Sequence, residues 1–380
     1  MSVFDDIDVA QLRARRSAKW TMIPPDVLPA WVAEMDFPLD PGIRTALGEA
    51  IAQDVCGYAI GAGVAAAFAG FAAGWFGWTV EPRGVFVLPD VLVGIAEILK
   101  ALTKPGDRVV VNSPVYPPFF RTVREVERTV EDVPLRRDER GWELDLSALE
   151  RAFAGGAVAY LLCSPHNPLG KVFSPADLTA IATLAKRYGV LVIADEIHAP
   201  LTMAGATFTP YLTVADPLDG DAVALCSASK AWNLPGLKCA FAVAGTDRTR
   251  KLLAQLPPEL PWRAGNLGVL ASIVAFERGG PWLRELLAYL DGNRRLLTRL
   301  LAETLPEVRY LEPQAGYLAW LDCAALDLGP DPSVTFLERS RVALTRGRDF
   351  GPGAETFARV NFGTSVAILT EIVQRMGRAR

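Results

Sequence analysis

Lys230 has the densest chemistry around it of any residue in the chain. It closes Ser227-Ala228-Ser229-Lys230, and Lys238 follows eight positions later. Apolar runs on either side, 222–226 and 239–244, read as buried strands. A lone buried ammonium is expensive. Such a lysine pairs with a charge, stays neutral, or escapes the penalty by bonding to an aldehyde as a Schiff base. The nearby hydroxyls and the second cation suit a phosphate. Alone, Ser-x-Ser-Lys is common by chance, so the upstream residues carry the weight. Ser164-Pro165-His166-Asn167-Pro168-Leu169-Gly170 forms a tight loop after the apolar run 157–163. Asp195-Glu196-Ile197-His198 follows the run 190–194, and Asp195 stands 28 positions after Asn167 and 35 before Lys230.

These residues need a scaffold that brings distant loops together. From about 46 to 280 the chain alternates apolar runs with helical patterns. The runs 85–88, 108–111, 158–162, 190–194, 223–226 and 240–244 read as strands. Residues 91–103 and 175–188 read as helices, the latter stopping at Gly189. This alternation predicts a mainly parallel sheet covered on both faces. Ligands of such sheets collect at the carboxyl ends of the strands. Asn167, Asp195 and the Ser227/Lys230 pair each fall just past a predicted strand end, which places them in one shared site. Residues 1–45, punctuated by Pro24, Pro25, Pro29, Pro38 and Pro41, read as an extended arm. After 281 a long helix (281–304), strands at 315–321 and 357–362, and a terminal helix from Ser365 read as a smaller α+β domain.

At 380 residues the chain is too long for one ordinary core. With 51% hydrophobic and 22% charged residues it is a folded protein rather than a disordered one. A net charge of −4 without a Lys/Arg cluster argues against nucleic acid as a partner. Five scattered cysteines and only two histidines offer no metal spacing, and the odd thiol count suits a reducing compartment. Residues 59–80 carry no charge over a length that could span a bilayer. They are dominated by Ala and Gly and lack flanking basic residues, so the expectation is a packed helix. The acidic start (Asp5, Asp6, Asp8) lacks the pattern of a secretory signal, and a cytoplasmic location is expected.

The ordered set Asn167, Asp195 and Lys230 resembles the fold-type I pyridoxal phosphate (PLP) enzymes of the aspartate aminotransferase superfamily. That resemblance implies an α/β large domain (46–280) with a seven-stranded, mainly parallel sheet, a small C-terminal domain (281–380) and an arm (1–45). It implies Lys230 as the Schiff-base lysine, Asp195 at the pyridine nitrogen and Asn167 at the phenolic oxygen. Tyr116, in Ser113-Pro114-Val115-Tyr116, is implied to stack on the cofactor ring. Ser227 and Lys238 are implied at the phosphate. Arg359, in Phe357-Ala358-Arg359-Val360-Asn361-Phe362, is implied at the substrate carboxylate, which only Arg can grip with a planar fork.

Within the superfamily, Trp31-Val32-Ala33-Glu34-Met35-Asp36-Phe37 is similar to the Trp-Val-Ala-Asp-Met-Asp-Phe signature of the cystathionine β-lyase/C–S lyase (MalY/PatB-like) group. Ser-Pro-His-Asn-Pro and Asp-Glu-Ile-His are also wording of that group. His198 stands where aspartate-type aminotransferases more often carry Tyr, and is expected at the cofactor. Gly57-Tyr58 matches the group's Gly-Tyr, whose tyrosine reaches the neighbouring subunit's cofactor, implying a homodimer. Pro89-Asp90-Val91-Leu92 matches the group's Pro-Gly-Val-Val, so the amides of Val91 and Leu92 are implied to cradle the phosphate. Asp90 departs from the pattern. Its carboxylate either turns to solvent or modifies the phosphate site. The resemblance implies β-elimination from an S-substituted cysteine, giving a thiol, pyruvate and ammonia. Transamination by the same residues, tailoring of a bulky cysteine conjugate, and a regulatory protein retaining the fold are the alternatives.

Overall fold

The computed structural model describes residues 2–61, 63–138 and 141–379. Its central sheet consists of β1 (Val85–Leu88), β2 (Arg108–Val111), β3 (Thr129–Asp132), β4 (Ala159–Cys163), β5 (Leu191–Asp195), β6 (Ala222–Cys226) and β7 (Ala240–Ala244). The spatial order is β1-β7-β6-β5-β4-β2-β3. Strands β2 to β6 pair in parallel, and β7 runs antiparallel between β6 and β1. The middle strands β4, β5 and β6 are buried along their whole length, as strands covered on both faces must be. The mainly parallel sheet expected from the strand–helix alternation is the one observed. The edge strand β3 was not among the expected strands, because Thr-Val-Glu-Asp lacks the apolar run of its neighbours. Strand β5 reaches one residue further than expected, so Asp195 is its last residue rather than the first beyond it.

Helices α1 (Pro41–Ala52), α2 (Val64–Phe76), α3 (Val91–Leu102), α4 (Asn266–Arg278) and α5 (Gly280–Thr304) precede a terminal helix, α6 (Val366–Gly377). The uncharged stretch 59–80 contains α2, which drives Phe68 and Phe71 into an aromatic cluster with Trp232, Phe241 and Phe276. It is a packed helix, and among the described residues no helix is long and apolar enough to cross a membrane. A second sheet, β8 (Arg309–Tyr310), β9 (Leu318–Asp322), β10 (Thr345–Arg346) and β11 (Phe357–Asn361), is antiparallel in the order β8-β9-β11-β10.

Residues 1–45 depart from the extended arm that their prolines suggest. They hold helical turns at Val9–Ala14 and Ala18–Thr21, and α1 already begins at Pro41. Proline suits the first position of a helix because its missing N–H would be unpaired there anyway, and Asp40 caps that helix by accepting Ile43 N. The arm is tied down at two places. Leu28–Pro29 pairs in parallel with Val342–Ala343. Deeper in, Lys19 Nζ lies 2.9 Å from Asp36 Oδ2 and donates to Glu34 O, with both side chains inaccessible to solvent. Trp20 Nε1 donates to the other Asp36 oxygen at 2.7 Å.

A buried ion pair is costly to break from one side because the remaining charge is stranded. Lys19→Met therefore lowers unfolding free energy by about 3–5 kcal/mol, measured by urea denaturation, and Asp36→Asn in the same chain recovers part of the loss.

Candidate active site

The carboxyl ends of the central strands open into one cavity. Strand β5 ends on Asp195, β4 leads into the loop carrying Asn167, and β6 leads into Ser227-Ala228-Ser229-Lys230. The cavity is lined by Tyr116, Asn167, Asp195, His198, Ser227 and Lys230, with Val91, Leu92 and Lys238 at the α3 end. The expected site residues thus converge, except for two. Arg359 does not line the cavity and is hydrogen-bonded to Asn167, which does. Tyr58 lies outside, 78% exposed and packed against the Trp262 ring.

Lys230 Nζ donates to Ala33 O at 3.1 Å. Burial, reinforced by the nearby Arg359 cation, pulls its ammonium down to about 8, against the opposing pull of Asp195 and Glu34. Asp195 Oδ1 accepts Ile197 N at 3.1 Å, and burial pushes its carboxyl up to about 6. Burial also holds the His198 imidazole down at about 3, with Lys230 and Arg359 adding repulsion, so the ring is neutral at ordinary pH. Its Nδ1 is buried without a hydrogen-bond partner among the described residues.

Arg359, on β11, is 4% exposed, and its hydrogen-bond partners among the described residues are all neutral. Nη1 donates to Asn167 Oδ1 at 3.0 Å, while Nη2 donates to Trp31 O at 2.9 Å and Thr345 Oγ1 at 3.1 Å. Its guanidinium carbon lies 5.1 Å from the Phe350 ring centre, and Nε is buried without a hydrogen-bond partner among the described residues. Burial draws its pKa down to about 10. With Oδ1 of Asn167 engaged by Arg359, Nδ2 remains the donor of that amide. Ser227 Oγ donates to Cys239 O at 2.6 Å and accepts Ser229 N at 3.0 Å. Its one proton is committed to the loop, so helix amides and Lys238 carry more of any anion binding than the hydroxyls suggested. Asp90 does not turn away from α3: its carboxylate accepts Val93 N and pairs with Lys238.

This donor set fits pyridoxal phosphate. A lysine with a lowered pKa reacts with an aldehyde, and a buried carboxylate benefits from a protonated ring nitrogen. A helix start with Lys238 beside it receives a phosphate. Sequence reasoning missed Ala33, Trp31 and Thr345, two of which act through backbone carbonyls that side-chain motifs do not advertise. Ser229 and Ile197 were visible only as neighbours of the named residues.

The fold and the cavity define a PLP-type α/β enzyme scaffold. Residues 65–376 match the family Aminotransferase class I and II, and the chain belongs to that family. A Mycobacterium leprae relative, provisionally named cystathionine beta-lyase, is 45% identical over 99% of this chain and 97% of its own length. The cystathionine beta-lyase PatB of Bacillus subtilis is 34% identical, over 93% and 92%. The crystal structure of a candidate PLP-dependent beta-cystathionase from Corynebacterium diphtheriae superposes with a TM-score of 0.93 at 34% identity, covering 98% of each chain.

Because Lys230 loses its proton near 8 rather than at the usual lysine value, cofactor-free protein reacts with pyridoxal with a pH midpoint near 8, slowly below and fully above it. Borohydride trapping across pH 6–11, with Lys230→Ala as the blank, measures that midpoint.

Proposed function

We propose that the protein is a PLP-dependent carbon–sulfur β-lyase that cleaves a cystathionine-like S-substituted L-cysteine to a thiol, pyruvate and ammonia. The observation that carries the reading is the cavity that brings Lys230, Asp195 and Asn167 together, with Arg359 hydrogen-bonded to Asn167 from outside its lining. Relatives named cystathionine beta-lyase, aligned over nearly the whole chain, favour it over transamination. The chain is read as an arm (1–45), a large PLP-binding part (46–280) and a small C-terminal part (281–380).

Bound pyridoxal phosphate supplies an aldehyde for the substrate amine and an electron-withdrawing ring for the charge that develops at Cα. Arg359 binds the α-carboxylate; a buried guanidinium with neutral partners is ready for a charged one. Lys230, as a neutral amine, takes the Cα proton. Once protonated, it is held by the Ala33 carbonyl. Asp195 supplies the anion that keeps the ring nitrogen protonated, while neutral His198 adds no competing charge. The electron pair left at Cα forms the Cα–Cβ double bond as the thiolate leaves Cβ, and water completes release of pyruvate and ammonia. Tyr58, solvent-facing in this chain, is assigned to the neighbouring subunit's phosphate in a homodimer. Five free thiols suit a cytoplasmic location.

PLP-loaded protein releases pyruvate from L-cystathionine without any added 2-oxo acid; dependence on such an acceptor would replace the reading with transamination. Lys230→Ala loses at least about 10²–10⁴-fold in turnover. Arg359→Lys raises KM by roughly ten- to a hundredfold, the worth of a charged hydrogen bond. Light scattering of the loaded protein reads the mass of two chains, and Tyr58→Phe loosens the cofactor without splitting the dimer.

A further inference from the structure

We propose that Asp90 is a built-in counter-anion of the phosphate cradle, holding Lys238 and weakening the grip on the cofactor. The proposal rests on the reading that this cavity binds pyridoxal phosphate. Asp90 is the residue before α3, and its Oδ1 accepts Val93 N at 2.9 Å. Its other oxygen lies 3.2 Å from Lys238 Nζ. Both residues line the same cavity as Lys230 and Asp195. The first-turn amides of Val91 and Leu92 precede the one that Asp90 has taken, and first-turn amides have no partner within their own helix.

A phosphate set on those amides meets two attractions and one repulsion. The helix start and the Lys238 ammonium favour it. The Asp90 carboxylate opposes it, and its pairing with Lys238 leaves the two side chains with no net charge to offer. Lys238 cannot escape this competition by moving its backbone. It follows the turn Pro235–Leu237 with φ at +58°, and its carbonyl accepts Gly265 N at 2.8 Å. The side chain alone is left to choose between Asp90 and the phosphate. Both side chains are partly exposed, 34% for Asp90 and 57% for Lys238, so solvent screens the repulsion to a moderate size. A cradle of this kind lets the loaded fraction follow cofactor supply rather than saturate early.

The experiment titrates cofactor-free wild type, Asp90→Asn and Asp90→Gly with pyridoxal phosphate, following the absorbance of lysine-bound cofactor. Asparagine keeps the helix cap and removes only the charge, while glycine caps nearly as well and guards against a defect particular to the amide. The expected result is a dissociation constant about tenfold lower in both variants at low salt, with the gain shrinking in about 0.5 M salt. Affinity for pyridoxal, which lacks the phosphate, stays at the wild-type value. Equal or weaker binding of pyridoxal phosphate by Asp90→Asn overturns the proposal, and so does a matching gain for pyridoxal. A wild type that takes up no cofactor through Lys230, judged against Lys230→Ala, overturns the cofactor reading and this proposal with it. Normal wild-type uptake with no effect of Asp90 leaves that reading standing and removes only the proposal.

Discussion

Five consecutive backbone carbonyls of the arm, residues 31–35, all accept hydrogen bonds from side chains of other segments. Trp31 O takes Arg359, Val32 O takes Asn361, and Ala33 O takes both Lys230 and Tyr317. Glu34 O takes Lys19 and Asn361, and Met35 O takes Asn233. A buried cation without a carboxylate survives only when dipoles replace its water. Here the dipoles come from an irregular stretch, bent at Val32 and Ala33, that is itself pinned by the Lys19–Asp36 pair. Lys230 and Arg359 are therefore positioned by a segment that contributes few side chains to the cavity.

The charge balance of the site follows from that arrangement. Lys230 and Arg359 repel one another at low solvent access, which helps to draw the lysine toward neutrality. Burial, with added repulsion from these two cations, also keeps His198 uncharged. Asp195, buried at the end of β5, receives one backbone amide and is raised by burial. Each group is displaced toward the state that a cationic ring and an anionic substrate would correct. Such displacements are characteristic of sites whose ligand completes the electrostatics. Asp90 runs the other way, bringing a negative charge to the end of the cavity where the helix amides favour an anion.

Much of this was legible in order and spacing. Asn167, Asp195 and Lys230 follow buried apolar runs, and in a parallel sheet all such ends face one way, so their convergence could be read before any coordinates. The packing of α2 within the uncharged stretch was also legible, since alanine and glycine bring little transfer energy. The arm was misjudged because proline was read as a breaker, although at Pro41 it starts a helix. Ser227 was expected at the phosphate from its neighbours in sequence, but its hydroxyl also lies 2.6 Å from the Cys239 carbonyl, a partner twelve positions away that no local motif shows.

The sequence by itself determined the alternation of strands and helices and the family, and it singled out Lys230, because these depend on local pattern and residue type. Tertiary structure alone decided which atoms surround that lysine. Ala33 O reaches Lys230 across 197 positions, and Trp31 O reaches Arg359 across 328. A carbonyl is present at every residue and leaves no mark in the sequence, so only the fold selects which one accepts. The same holds for Asp90 and Lys238, 148 positions apart: their types were visible, but their pairing is a consequence of β7 lying beside β1, next to the start of α3.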